Sequence, residues 1–261
     1  MSQPALYTTQ LQAGLGLIEE TQRLLELYEP GMRYPQLFAK ALESGQFPLV
    51  SARRLDNIVR ECFGPRYLRQ PGVAQWLKRL MPHLESDERR QLLMLHTARA
   101  NVVLADFIRE VYWPRYTSGR DSLSRDDALR FVEDAVREGK TQKPWSESTM
   151  SRMSGYLLSA CADFGLLEHR RSGPRRLYSV RLSTRVAAFL AYDLKFQGLG
   201  DNQVLNHSDW QLFGLGHSDV KEQFKRLSLE GLLIMQTAGD VTHISWQHKN
   251  MEEVVDVLAG Y

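Results

Sequence analysis

Four arginines fall within seven residues, Arg170, Arg171, Arg175 and Arg176, on either side of Ser172-Gly173-Pro174. A guanidinium stays charged at any physiological pH, and its planar fork of donors matches a phosphate. A turn carrying four of them suits the holding of a polyanion, not the breaking of bonds. Ser148, Thr149 and Arg152 stand just upstream, at the start of a helical run. The free N–H groups of a helix start are a second device for gripping phosphate. A further basic group, Arg53, Arg54 and Arg60, lies near the N-terminus, with Arg66 and Arg69 just beyond it. The plain alternative is a surface hairpin with solvated arginines, or one used for protein contacts.

Residue sets that would carry out catalysis are missing. Gly14-Leu15-Gly16 is not followed by the rest of a dinucleotide fingerprint, and no phosphate-loop sequence occurs. Cys62 and Cys161 are far apart and read as buried thiols of a reducing compartment. The seven histidines are scattered, and acidic pairs such as Asp126-Asp127 and Glu252-Glu253 sit at helix starts, where they act on the helix dipole. The alternating aromatic-basic pattern of single-strand binders is absent, which favours contact with a duplex backbone. The expectation is a protein that is not an enzyme, with no cofactor, metal or small-molecule substrate. The 33 basic and 31 acidic residues leave a net charge of +2, so any nucleic-acid footprint must come from local segregation of charge. No apolar run approaches the roughly 20 residues of a membrane span, and MSQPALYTTQ lacks the features of a secretion signal. A cytoplasmic protein with no membrane partner is expected.

The elements that must position the arginines are legible. Ser146 can cap a helix from Glu147, whose apolar face is Met150, Met153, Leu157, Cys161 and Phe164. Its opposite face, Ser148, Arg152, Gly155 and Ser159, is small and polar. Gly165 stops the helix, and short strands at 166–168 and 177–180 flank the arginine turn. That order is the recognition helix and wing of a winged helix. Upstream, helices are expected at 15–29, at 35–43 and at 52–63, the last capped by Ser51 and ended by Gly64-Pro65. These three form a helix-turn-helix-like unit, and residues 1–14 before them read as poorly ordered. One long helix, capped by Ser86, is expected to run until Pro114, and Ser124 with Asp127 forms a capping box for the next. Beyond a helix starting at Ser183, the segment 217–250 repeats the helix, glycine, strand, turn, strand order. Its turn, Ala238-Gly239-Asp240, has no arginine, which suits a structural or protein-contact role.

The expected fold is mainly α, a helical bundle with short β-hairpin wings. Its parts are residues 1–70 as the helix-turn-helix-like unit, 71–195 as a helical core with a winged helix (wing 166–181), and 196–261 as a second winged-helix-like unit.

Three blocks resemble the BrxA family of bacterial BREX (bacteriophage exclusion) systems. They are LIEETQRLLELYEPG at Leu17–Gly31, the long helical run Glu88–Tyr116, and Trp145–Glu168, where WSEST leads through a helix to FGLLE. Residues after 200 resemble it least. The resemblance implies a non-enzymatic accessory of a phage-defence complex whose methyltransferase, ATPase and phosphatase-like protein are separate chains. The residues and the resemblance together suggest a protein that binds double-stranded DNA with little sequence specificity. An assembly adaptor for other BREX components and an RNA-binding helical bundle are the rival readings.

Overall fold

A computed structural model describes residues 6–238 and 241–260. The described chain is mainly helical, with two small antiparallel two-stranded sheets. It divides into two compact units, the first running to Lys78 and resuming at Leu93–Val180, the second made of Arg79–Leu92 and of the chain from Arg181 on. The boundaries at 70 and 195 suggested by sequence do not coincide with this division, which places 93–180 with the N-terminal helices.

The first unit opens with a short 3-10 turn, Gln10–Ala13, followed by α1 (Ile18–Leu27), α2 (Tyr34–Glu43) and α3 (Ala52–Asn57). Ser51 caps α3 by accepting from Arg54 N at 3.3 Å. Gly64-Pro65 does not end that helix. The chain widens into a π-helical segment, Ile58–Leu68, that passes through Pro65. Pro65 has no N–H for the carbonyls of the preceding turn, and Gln10 Nε2 donates to one of them, Glu61 O, at 3.2 Å. α4 (Val73–Leu80) follows.

The expected long helix is also interrupted. α5 (Ser86–Ala100) begins at Ser86 itself, with the Glu88 carboxylate reaching back to Glu85 N at 2.9 Å, so Glu85 holds the cap position assigned to Ser86. Asn101 then leaves the helical region (φ −133°), and its buried amide donates to Thr97 O at 2.9 Å. A short polar side chain that bonds its own backbone breaks the helical ladder there. The chain resumes as α6 (Val102–Phe107), a π-helical turn over Ile108–Tyr112, and α7 (Trp113–Thr117). Pro114 lies in the first turn of α7, where its missing N–H is tolerated.

Strand β1 (Ser122–Leu123), α8 (Arg125–Arg137), α9 (Glu147–Asp163) and strand β2 (Arg175–Arg176) complete the unit. The capping box of α8 forms as expected, with Asp127 N donating to Ser124 Oγ at 3.1 Å and Ser124 N to Asp127 Oδ2 at 2.9 Å.

Residues 6–14 are ordered against this unit, contrary to the sequence reading. Tyr7 and Leu11 are fully buried. Tyr7 N donates to Lys140 O at 2.7 Å, and its hydroxyl to Asp106 Oδ2 at 2.8 Å. Burial of Tyr7 and Leu11 together with these hydrogen bonds anchors the segment. The glycines after it allow close approach. Gly16 N donates to Asp163 Oδ2 at 2.9 Å, and a Cβ on Gly16 would lie 2.4 Å from Asp163 Cβ. Gly16→Ala must part these two segments, an overpacking that also strains the hydrogen bond, and is expected to lower stability by roughly 2–4 kcal/mol. Urea denaturation checks this: a midpoint equal to that of the wild type would mean that the segment relaxes freely.

The second unit is built on α10 (Thr184–Phe196), capped by Ser183 and buried continuously from Val186 to Leu194. Around it stand α11 (Asp201–Leu205), a 3-10 segment at Ser208–Phe213, α12 (His217–Leu229), the hairpin β3 (Leu233–Ala238) and β4 (Val241–Trp246), and α13 (Met251–Ala259). The expected helix, glycine, strand, strand order is present, and Gly231 has the left-handed φ of +74° that ends α12. Tyr192 Oη donates to Leu232 O at 2.5 Å and accepts from Gln247 N at 3.0 Å, fastening both ends of the hairpin to α10. Of the expected turn, Gly239 and Asp240 lie outside the described residues. No described helix is long and apolar enough to cross a membrane.

Candidate nucleic-acid interface

The start of α9 is open. Ser146 Oγ accepts from Thr149 N at 3.3 Å and lies 3.1 Å from Ser148 Oγ. Ser148 and Arg152 are exposed and Thr149 is half-buried. The buried side is the expected one, with Met153, Leu157, Cys161 and Phe164 all in the core and Met150 half-covered. Gly155 on the outer side has open space in front of it. Cys161 is fully buried, and burial pushes its thiol well above its usual range.

The arginine hairpin pairs through Glu168 N to Arg176 O and Tyr178 N to Leu166 O, both at 2.9 Å. Sequence reading missed its third strand. β1 pairs antiparallel with β2, Leu123 opposite Arg175 and Ser122 opposite Arg176, while the expected strands at 166–168 and 177–180 meet in a single antiparallel bridge between Leu167 and Leu177. Two further ties hold this frame. Tyr112 Oη donates to Tyr178 O at 2.5 Å, and Arg115 Nε to Ser122 O at 3.1 Å.

The four arginines separate into two kinds. Arg170, Arg171 and Arg176 are exposed, and none has a carboxylate partner among the described residues. Arg170 Nη1 reaches only Pro174 O, at 3.4 Å, across the turn made by Gly173 at φ +82°. Arg175 instead is half-buried against α9, with Nη1 donating to Leu158 O at 3.0 Å and Nη2 to Ser159 Oγ at 3.3 Å. Burial lowers its pKa. Its geometry is that of a fastener between wing and helix. Arg175→Ala is therefore expected to lower stability by about 1–2 kcal/mol by removing these hydrogen bonds and the packing of the side chain. Thermal denaturation of this variant beside Arg176→Ala checks the distinction, since Arg176→Ala should melt like the wild type.

The N-terminal arginines are more engaged than sequence suggested. Arg60 is 3.0 Å from Glu61 and 3.6 Å from Asp56, which offsets its charge. Arg54 donates to Ala13 O, while Arg53 is exposed with no partner among the described residues. Arg66 is buried, 5% exposed, and its Nη2 donates to Gly14 O at 2.5 Å.

Two grooves lie between the N-terminal segment and its neighbours, and neither is lined by the arginines of the hairpin. Residues 7–10, Gln12, Ala13 and Glu61 line a cleft of about 850 Å³ together with residues 142–146 and Thr149. A second groove, of about 550 Å³, lies between Arg33, Arg60 and Arg69 and has Tyr34 on its wall. Gln10 lines both. Arg33, Tyr34, Lys143 and Trp145 were not singled out from sequence, because no local pattern joins residues so far apart in the chain.

Comparison with known proteins bears on this arrangement. A family model described as BrxA matches residues 5–193. Among solved structures, a crystal structure of an uncharacterized protein from Magnetospirillum magneticum is similar, with a TM-score of 0.61 at 16% identity, over 79% of this chain and 97% of that one. At that identity the likeness speaks for the fold alone. No curated protein matches.

Proposed function

The chain belongs to the BrxA family, and from that premise we propose that it binds double-stranded DNA as a non-enzymatic accessory of a bacterial phage-defence system. Family membership associates it with BREX systems. The duplex reading is carried by one observation above all. Three exposed arginines without carboxylate partners among the described residues stand on a hairpin that Arg175 fastens to α9, on which Ser148 and Arg152 are exposed. The order of helix α7, strand β1, helices α8 and α9, and a hairpin containing β2 supports a winged-helix reading. In this reading α9 lies along the duplex, with Ser148, Thr149 and Arg152 near the backbone or major groove, and Arg170, Arg171 and Arg176 meet phosphates or the minor groove. Arg175 holds the wing in position. Arg53, Arg54 and Arg60 add a second, weaker basic surface. Few side chains suited to bidentate base reading are present, so the protein recognises backbone and shape with low sequence specificity.

Fluorescence anisotropy with a generic duplex of about 30 base pairs, titrated across a salt series, tests the proposal. Binding with a steep salt dependence is the expected result. Absence of binding at low salt would turn attention to the adaptor reading, in which the same surfaces grip another component of the defence complex. Tighter binding of structured RNA than of duplex DNA at equal salt would favour the RNA reading.

A further inference from the structure

The groove bounded by Arg33, Arg60 and Arg69 has a chemistry different from that of the wing. Met32, Pro65 and Leu68 give it apolar walls, and the Tyr34 ring stands 40% exposed beside them. No carboxylate lines it, and Arg33 and Arg69 are exposed without acidic partners among the described residues. An apolar and aromatic surface flanked by guanidinium groups fits a flat, unpaired base with its phosphates. At about 550 Å³ it has the size of a small-ligand pocket and is far too small for a duplex. Gln10 also lines the cleft at the start of α9, and that cleft adds Lys143 and the half-exposed Trp145 ring. Glu61 is the single carboxylate lining the two, and Arg60 already neutralises it at 3.0 Å.

We propose that these two grooves take an unpaired nucleic-acid strand that continues from a duplex held on α9, so that the protein favours duplex–single-strand junctions over blunt duplex. This rests on the duplex reading above for the placement of the paired part. The unpaired strand leaves the start of α9 along Trp145 and Lys143, passes Gln10, and ends with a base against Tyr34 and phosphates at Arg33 and Arg69. An acidic peptide would satisfy the arginines as well. Continuity with the start of α9, together with two aromatic rings along one path, favours the nucleic-acid strand.

The test compares a blunt duplex, the same duplex with an unpaired tail of about ten nucleotides on either end polarity, and the tail alone, by anisotropy at one salt concentration. The proteins are the wild type, Arg33→Ala/Arg69→Ala and Tyr34→Ala, all changed at exposed side chains. One tail polarity is expected to tighten wild-type binding about tenfold, the effect of one stacked base with its phosphate contacts. Both variants should erase that gain and bind blunt duplex as the wild type does. A tail that adds nothing, or variants that weaken blunt and tailed duplex alike, would overturn the proposal and leave the duplex reading standing. If blunt duplex fails to bind while the tail binds through Arg33 and Arg69, the groove assignment holds and the duplex reading falls.

Discussion

Changing Arg170, Arg171 and Arg176 together to alanine is expected to weaken duplex binding by at least about a hundredfold at low salt, roughly 1 kcal/mol or more for each guanidinium–phosphate pair removed. The same variant should lower the slope of log K against log salt by roughly 2–3, because each neutralised phosphate contributes about 0.9. The slope is the sharper readout, since it reports the ion pairs formed with the duplex and is indifferent to small changes in fold. The three side chains are exposed, so the melting temperature should stay within a degree or two of the wild type's. Leaving Arg175 in place matters, because its donors secure the wing to Leu158 and Ser159 of α9. Unchanged affinity and slope would move the duplex-binding surface to Arg53, Arg54 and Arg60. Binding to a defence-complex partner that survives the substitution would support the adaptor reading.

The largest expected effect on stability lies at Asp127. Its carboxylate is buried and accepts from Arg115 Nη2 at 2.8 Å, Arg130 Nη2 at 2.7 Å, Ser124 Oγ at 2.7 Å and Ser124 N at 2.9 Å. Arg115 in turn holds β1, and β1 holds the wing. Burial raises the carboxyl pKa, but the hydrogen bonds from Ser124, the charge of Arg115 and the hydrogen bond from Arg130 outweigh it and keep the group below the usual carboxylate range. Asp127→Ala leaves the partly buried Arg115 without its carboxylate partner and removes the reciprocal half of the α8 capping box, while Asp127 N can still donate to Ser124 Oγ, at an expected cost of about 3–5 kcal/mol. A carboxyl with a depressed native pKa binds fewer protons folded than unfolded, so its contribution is complete well above the unfolded value. It fades below about pH 5 and vanishes as pH falls through the depressed native pKa. Urea denaturation of wild type and variant at pH 7 and near pH 3 should therefore give a large difference that shrinks with acidity. A difference independent of pH would mean that packing, not charge, accounts for the destabilisation.

Much of the local structure was readable from residues alone. Ser51, Ser124 and Ser146 each cap the helix assigned to them, because a cap needs only a hydroxyl and a nearby N–H in the same turn. Gly165 and Gly231 stop α9 and α12 with left-handed backbones that few other residues adopt. The apolar face of α9 and the exposed arginine turn follow from helical period and from the hydration of charge. The family resemblance came from the same helices and caps, and residues 5–193 carry it.

What required the tertiary structure has a common cause, which is that each feature joins residues distant in sequence. Pro65 ends no helix because Gln10, fifty-five positions earlier, supplies a donor to Glu61 O. The segment from Tyr7 to Gly16 is ordered because Asp106, Lys140 and Asp163 receive it. The arginine turn is held by Ser122–Leu123, a strand too short to have a period of its own. The separation of Arg175 from Arg170, Arg171 and Arg176 depends on which guanidinium meets the α9 carbonyl, and four identical residue types in one turn carry no mark of that. Local propensity set where helices begin and end, while burial and long-range hydrogen bonds decided which of the basic side chains remained free to face a polyanion.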